Sequence, residues 1–408
     1  MRRRTFLASS AAFAAAGTAL PVRAEPLPRA GIELGDDVFL RSAWRDLGSK
    51  RVGVVANQSA VTSNLESIVD AIGRRGKVRL EAIFAPEHGL RGDRTAGSAV
   101  ASYVDPGSGL PVYSLYGATR RPTAAMLDGV DVLLFDLQDV GSRAYTYIST
   151  MAYAMQGAKA AGKEFWVLDR PNPVGGLTVE GPVLETAFES FIGLYPIAMR
   201  HGMTVGELAR LFNDRFGIGV KLRVIAMNGW RRSMIWPDTG LQWVQTSPNV
   251  PDWQTTFVLL CTGLIDNAGL NNGTDFTKPF FLAGTSGVDG ERLARTLNAR
   301  NLPGVWFRPA AWEPIAGFWK GRELTGVELV VFEPRRFLAV RTSVEILVAA
   351  RRLFPHATVI KPAPLDRDWG TASLREGLTA GARAGAIVAG WDRDVAAFRT
   401  VRAKYLLY

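Results

Sequence analysis

The chain has 408 residues, of which 47% are hydrophobic and 21% charged, and a formal net charge of +10 at pH 7. That length exceeds one usual hydrophobic core and predicts two domains or lobes, and the composition excludes a disordered chain. A single cysteine, Cys261, excludes an intrachain disulfide, and without a concentrated Lys/Arg run the positive surplus argues against nucleic acid as a partner.

Residues 1–24 read as a signal peptide. Arg2-Arg3-Arg4-Thr5-Phe6-Leu7 is a charged start, Phe6 to Leu20 a mild apolar run, and Val22-Arg23-Ala24 a small-residue exit. Paired arginines followed by x-Phe-Leu point to the twin-arginine route, and so to a periplasmic or otherwise exported protein. Loss of Arg2, Arg3, Arg4 and Arg23 would lower the formal charge from +10 to +6. No later segment is long and apolar enough to span a bilayer, so no membrane span is expected in the mature chain.

From Arg51 the pattern alternates. Short apolar runs at 51–56, 80–84, 131–135, 164–168 and 222–225 read as strands, and 63–74, 147–161 and 204–216 as helices between them. Nearly continuous apolar strands separated by helices predict a parallel sheet covered on both faces. Thr204 with Glu207 three residues on has the form of a capping box. Residues 228–285, rich in Trp, Asn, Gly and Pro, read as long functional loops. Beyond them, 287–299, 343–354 and 392–404 read as helices, and 304–308 and 327–332 as strands. The expected fold is α/β: a Rossmann-like parallel-sheet domain over 35–230, a smaller α+β domain over 231–408, and a cleft between them. Cys261, in Phe257-Val-Leu-Leu-Cys261, reads as a buried inert thiol.

Ligands of open α/β sheets bind beyond the carboxyl ends of the strands. Four predicted strand ends carry polar groups: Asn57-Gln58; Pro86-Glu87-His88-Gly89; Asp136-Leu-Gln138-Asp139 running on to Arg143; and Asp169-Arg170-Pro-Asn172. Each alone has a structural reading, with Asp136 or Asp169 as a helix cap or ion-pair member and His201 as a cap of the helix that follows it. Four on one edge predict a polar pocket. Trp230, Trp236, Trp243 and Trp253 cluster around Thr246-Ser-Pro-Asn249, and such rings could wall a sugar site. No G-x-G-x-x-G follows the first strand, Gly157–Lys163 only mimics a P-loop, and neither H-E-x-x-H nor G-x-S-x-G occurs.

The blocks Ile83-Phe-Ala-Pro-Glu87-His88-Gly89-Leu-Arg-Gly-Asp93, Leu110 to Gly117 and Phe135-Asp136-Leu-Gln138-Asp139-Val-Gly-Ser-Arg143-Ala-Tyr145-Thr-Tyr147 resemble the exo-β-N-acetylmuramidase family. So do Leu168 to Pro173, Arg200-His201-Gly-Met-Thr-Val-Gly-Glu207, Ser247-Pro-Asn249-Val-Pro and Tyr405-Leu-Leu-Tyr408. The resemblance covers nearly all of the mature chain. It implies release of N-acetylmuramic acid from the non-reducing end of peptidoglycan fragments, without a cofactor or metal, with peptidoglycan-derived saccharides as the binding partners. One stretch departs from the family pattern: Asn267 and Gly273-Thr274 are kept, while Leu264 and Asn272 stand where a Glu and an Arg are usual.

Glycoside hydrolysis needs a proton donor for the leaving oxygen and a group that attacks or stabilises the anomeric carbon. Glu87 is the expected general acid, with His88 orienting it or binding a hydroxyl, and Asp139 or Asp136 as the second carboxylate that activates water, attacks as nucleophile or positions the sugar's acetamide. Arg143 and Arg170 are expected to fork onto the lactyl carboxylate. Asn57, Tyr145, Asp169, Asn172, His201, Asn249 and Asn267 complete the expected substrate-binding set. Three rivals stay open at this level: a glycan-binding protein that has lost catalysis, a hydrolase of a different exported glycoside, and a metal-dependent hydrolase using Glu87, His88 and Asp136. Oligomeric state is not legible.

Overall fold

A computed structural model describes residues 31–408, so the signal-peptide reading of 1–24 lies outside the described residues. The first lobe is built on a seven-stranded sheet in the order β3-β4-β2-β1-β5-β6-β9. Its strands are β1 (Arg51–Ala56), β2 (Arg79–Ala85), β3 (Tyr103–Val104), β4 (Pro111–Ser114), β5 (Val132–Asp136), β6 (Glu164–Leu168) and β9 (Lys221–Ile225). All pairings are parallel except the edge pair β3–β4.

Three helices follow from local sequence. After α1 (Gly35–Arg41), helix α2 (Ile68–Arg75) starts later than the expected 63 because Ser67 caps it, accepting from the Val69 amide, after residues 62–66 have turned back on themselves. Helix α3 (Thr146–Ala160) is apolar on most faces and lies buried against the sheet. Helix α4 (Val205–Asp214) begins with the reciprocal Thr204–Glu207 capping box that its sequence predicts. The two faces of the sheet bury separate cores, one around Phe135, Met151 and Phe165 and one around Val54, Ile72 and Ile83. A short ribbon of β7 (Glu180–Val183) and β8 (Ala198–Arg200) borders the second lobe.

The second lobe has an antiparallel sheet, β10-β12-β11, of β10 (Leu282–Thr285), β11 (Val305–Trp312) and β12 (Leu324–Val331). Alternation along β11 turns Val305 and Phe307 inward and Trp306 and Arg308 outward. Helix α6 (Gly290–Asn298) covers the inner face through Leu293 and Leu297, and α7 (Ala339–Leu353) packs on α6 with Val344 and Leu347 buried in the same core. The expectation of unbroken loops over 228–285 is corrected: α5 (Gln254–Thr262), an almost wholly apolar run, is a buried helix packed on α7. Cys261 sits inside it, and burial raises its thiol pKa well above the usual value. Four short helices end the chain: α8 (Pro362–Trp369), α9 (Ser373–Thr379), α10 (Ala384–Ala389) and α11 (Asp392–Ala403). Phe398 and Tyr405 pack into the core of the first lobe, so the end of the chain returns to the sheet it left. No helix among the described residues is long and apolar enough to cross a membrane.

Candidate active site

Sheet order reverses at β1, with β2 on one side and β5 on the other. The carboxyl ends of these strands open the crevice in which such sheets bind ligands. After β2 the chain enters Pro86-Glu87-His88-Gly89 and reverses sharply. His88 and Gly89 both take left-handed backbone angles, φ 71° and 77°. That conformation is strained for a histidine. The Gly89 amide to the Pro86 carbonyl (3.0 Å) and the His88 ring Nδ1 to the Arg94 carbonyl (2.7 Å) hold it in place. Because a carbonyl only accepts, Nδ1 carries a proton toward Arg94.

Glu87 is fixed at both oxygens. Oε1 accepts from the Gly97 amide at 2.9 Å and Oε2 from the Thr146 hydroxyl at 2.8 Å, Thr146 being the first residue of α3. Tyr116 also approaches this carboxylate, and burial, then the Glu87 charge, raises the Tyr116 pKa. Glu87 and His88 open into a cavity of about 180 Å³ walled by both lobes, with Tyr145, Thr146, Ser247 and Asn249 supplying further polar groups and Leu260, Leu264 and Phe280 an apolar side. Glu87 is the only carboxylate in this lining, which contains no lysine or arginine. Tyr145 donates to the Thr246 hydroxyl (2.9 Å), and burial raises its pKa well above the ordinary phenol value.

The remaining expected site residues lie behind the wall. Arg170 is a correction: its guanidinium is sealed between Asp136 (Nε to Oδ1, 2.6 Å) and Asp36 (2.7 Å), where a carboxylate-bearing sugar cannot reach it. Asp136 is spent in the same cluster and is no second catalytic carboxylate; burial raises its pKa and that of Asp36 against the pull of Arg170. Arg143 is also corrected. It turns away from the cavity to the Trp369 carbonyl (2.8 Å), and burial lowers its pKa to about 10.

Asp169 accepts from Thr204, the Gly206 amide and the Tyr408 hydroxyl, joining α4 and the chain end to β6. Burial pushes its pKa up to about 6. Asn57 braces Ser59 and Tyr147, Asn172 braces the Val174 amide and the Met203 carbonyl, and Asn267 pairs with Asp368. Asp139 and His201 stand together under the cavity floor. The His201 Nδ1 accepts from the Met203 amide, which leaves a proton on Nε2, 3.6 Å from Asp139 Oδ2. The second oxygen of Asp139 has no hydrogen-bond partner.

The tryptophan wall is corrected as well. Trp230 and Trp236 are buried, the first edge-on to Tyr408 and the second edge-on to Trp243, while Trp253 packs on Phe257. Their apolar area outweighed any loop exposure. Thr146, Gly97 and Tyr116 are the contacts of Glu87 that sequence reasoning missed. The only available signal was Thr146 beginning a helix just after the Asp136–Arg143 strand-end segment. Among the described residues no group of three or more His, Cys, Asp and Glu side chains is arranged to hold a metal.

Residues 52–254 match the family model described as the N-terminal part of exo-β-N-acetylmuramidase NamZ, and residues 257–408 the model of its C-terminal part. Among curated proteins, the peptidoglycan β-N-acetylmuramidase NamZ of Bacillus subtilis (strain 168) is 43% identical over 378 residues, 92% of this chain and 91% of that protein. A DUF1343 family protein from Bacteroides fragilis NCTC 9343 superposes with a TM-score of 0.87 at 36% identity, over 93% of this chain and 100% of that one. A second DUF1343 protein from the same organism shares the fold at a TM-score of 0.74 and 24% identity, over 92% and 99% of the two chains.

Proposed function

Because the chain belongs to the exo-β-N-acetylmuramidase NamZ family and is a glycoside hydrolase, we propose that it releases N-acetylmuramic acid from the non-reducing end of peptidoglycan fragments, with Glu87 as the general acid. The observation that carries the residue assignment is the position of Glu87: a carboxylate held at both oxygens, in a cavity whose lining offers no other. A proton donor must meet the glycosidic oxygen in a fixed pose, and the Gly97 and Thr146 contacts supply that fixity.

With one carboxylate in the lining, the attack on the anomeric carbon falls to the acetamide oxygen of the sugar itself, a route that some glycosidases use in place of an enzymatic nucleophile. In this reading the Glu87 proton passes to the leaving oxygen as the C1–O bond breaks and the acetamide oxygen bonds C1. Water then opens the cyclic intermediate, returning its proton to Glu87. Asp139, which accepts from the Gly141 amide, and His201 beside it hold the 139–143 loop. The reading of 1–24 as a twin-arginine leader places this chemistry outside the cytoplasm, where peptidoglycan lies; cell fractionation of the tagged full-length chain tests that part.

Turnover of a chromogenic β-N-acetylmuraminide is expected, and its N-trifluoroacetyl analogue should react at least tenfold more slowly, since fluorine withdraws electrons from the attacking oxygen. Equal rates would rule out acetamide participation, and no turnover of either would rule out the muramidase reading. The rival of a binding protein without catalysis draws on the 264–275 stretch, where Leu264 lines the cavity without charge. The same turnover assay decides it.

A further inference from the structure

A second, larger cavity of about 760 Å³ adjoins the first and shares Ala96, Asn249, Gly263 and Phe280 with it, so the two form one continuous trough. Its outer wall is the β11–β12 connection. Within it Phe318 is 71% exposed, which leaves a flat apolar ring with no protein partner on its outer side. Trp319 stands edge-on to it at 5.1 Å. The Arg322 guanidinium lies 5.0 Å from the Phe318 centroid and 5.7 Å from that of Trp319, and Lys361 Nζ reaches 5.8 Å from Phe318.

The loop carrying these groups is anchored. The Ile315 amide donates to the Asp275 carbonyl and the Gly321 amide to the Pro314 carbonyl, and Gly317 (φ 71°) lies so close to the Asp275 carboxylate that a Cβ there would clash. Asp275 and Asp266 also line the cavity, and burial raises the Asp266 pKa.

Resting on the muramidase reading above, we propose that this second cavity is the aglycone subsite: the leaving sugar stacks on Phe318 and Trp319, and a carboxylate of the next muramoyl residue pairs with Arg322 and Lys361. Aromatic faces with polar tips suit a pyranose ring. A guanidinium already stacked on those rings presents its edge to a carboxylate. Glu87 stands in the first cavity and is absent from the lining of the second. The donor sugar therefore sits beside Glu87, and the leaving portion of the chain runs out along the trough toward Phe318.

The test uses Phe318→Ala and Arg322→Gln in the full mature chain, both at exposed positions. Two substrates are compared: a chromogenic β-N-acetylmuraminide, which has no second sugar, and a tetrasaccharide of alternating N-acetylmuramic acid and N-acetylglucosamine with a muramoyl non-reducing end. The readout is the ratio of kcat/KM on the tetrasaccharide to that on the chromogenic substrate. Loss of one stacking or ion-pair contact should lower that ratio by roughly fivefold or more in each variant. A smaller change in either variant, including an equal fall on both substrates, overturns the proposal, because an equal fall would place Arg322 on the lactyl group of the donor sugar. If the wild-type chain turns over neither substrate, the muramidase reading itself fails and the subsite with it.

Discussion

Arg170 separates a scaffold from a substrate clamp. Its guanidinium joins Asp36 at 2.7 Å and Asp136 at 2.6 Å, with all three side chains sealed from solvent, and also donates to the Val61 carbonyl at 3.0 Å. Arg170→Met would fill similar space and leave two carboxylates buried without a cation. Breaking a buried pair in this way costs about 3–5 kcal/mol at neutral pH. The cost is pH-dependent, with a sign fixed by linkage. Both carboxyls already have folded-state pKa values raised by burial, and losing the arginine raises them further. Their folded state then holds protons that the unfolded chain has released, so the stability of the variant falls as pH rises from the unfolded carboxyl value through the raised folded one. Urea unfolding of the mature chain at pH 5 and pH 7.5 should show the larger deficit at pH 7.5. The KM of the folded variant for a β-N-acetylmuraminide should stay within about threefold of wild type, the change expected of a residue that does not touch substrate. Wild-type stability with a tenfold higher KM would refute the reasoning and return Arg170 to the binding site.

Two further outcomes follow from the same geometry. Thr146→Val removes the hydroxyl that Glu87 Oε2 accepts from and should lower kcat by about tenfold with little change in unfolding midpoint, as expected for the loss of one positioning hydrogen bond; an unchanged kcat would show that the contact does not position the acid. Asp169, with its pKa raised to about 6 by burial, contributes stability that declines as pH rises from the unfolded value near 4 through 6. Asp169→Asn should remove on the order of 2–3 kcal/mol of that decline. Paired unfolding curves at pH 4 and pH 7 measure it, and parallel profiles for variant and wild type would contradict the assignment.

The parallel sheet was readable because its strands are short apolar runs: β1 and β6 begin and end where their composition changes, and α4 starts at its Thr204–Glu207 capping box. Two things hid the rest. Strand β3 is a two-residue edge element and β4 beside it is only four residues long, and their pairing depends on distant partners, while α5 lies inside a region whose Trp and Pro content imitates loops. In the site, position at a strand end identified Glu87 and His88 as cavity groups, and the family resemblance added Asn249, but neither could tell which strand-end side chains face outward. Asp136, Arg170 and Asn172 have the same residue types and placement as catalytic groups, yet they are used to neutralise and brace buried backbone and charge. Direction, not identity, separates the two sets, and direction comes from packing. The partners of Glu87 were hidden because Gly97 contributes only a backbone amide and Thr146 is a single hydroxyl at a helix start.

The central claim is that Glu87 delivers the proton to a muramoyl glycosidic oxygen. The direct measurement is kcat for Glu87→Gln against wild type on two muraminides, one with a good phenolate leaving group and one with a poor alkoxide or sugar leaving group. Glutamine keeps the shape and can still pair with Thr146, so the fold should hold. A missing acid matters most when the leaving oxygen needs a proton, so the account predicts a fall of at least about a hundredfold on the poor leaving group, within the range for general acid catalysis, and a much smaller fall on the phenolate. Equal losses on both substrates, or activity within a few-fold of wild type on the sugar aglycone, would contradict it.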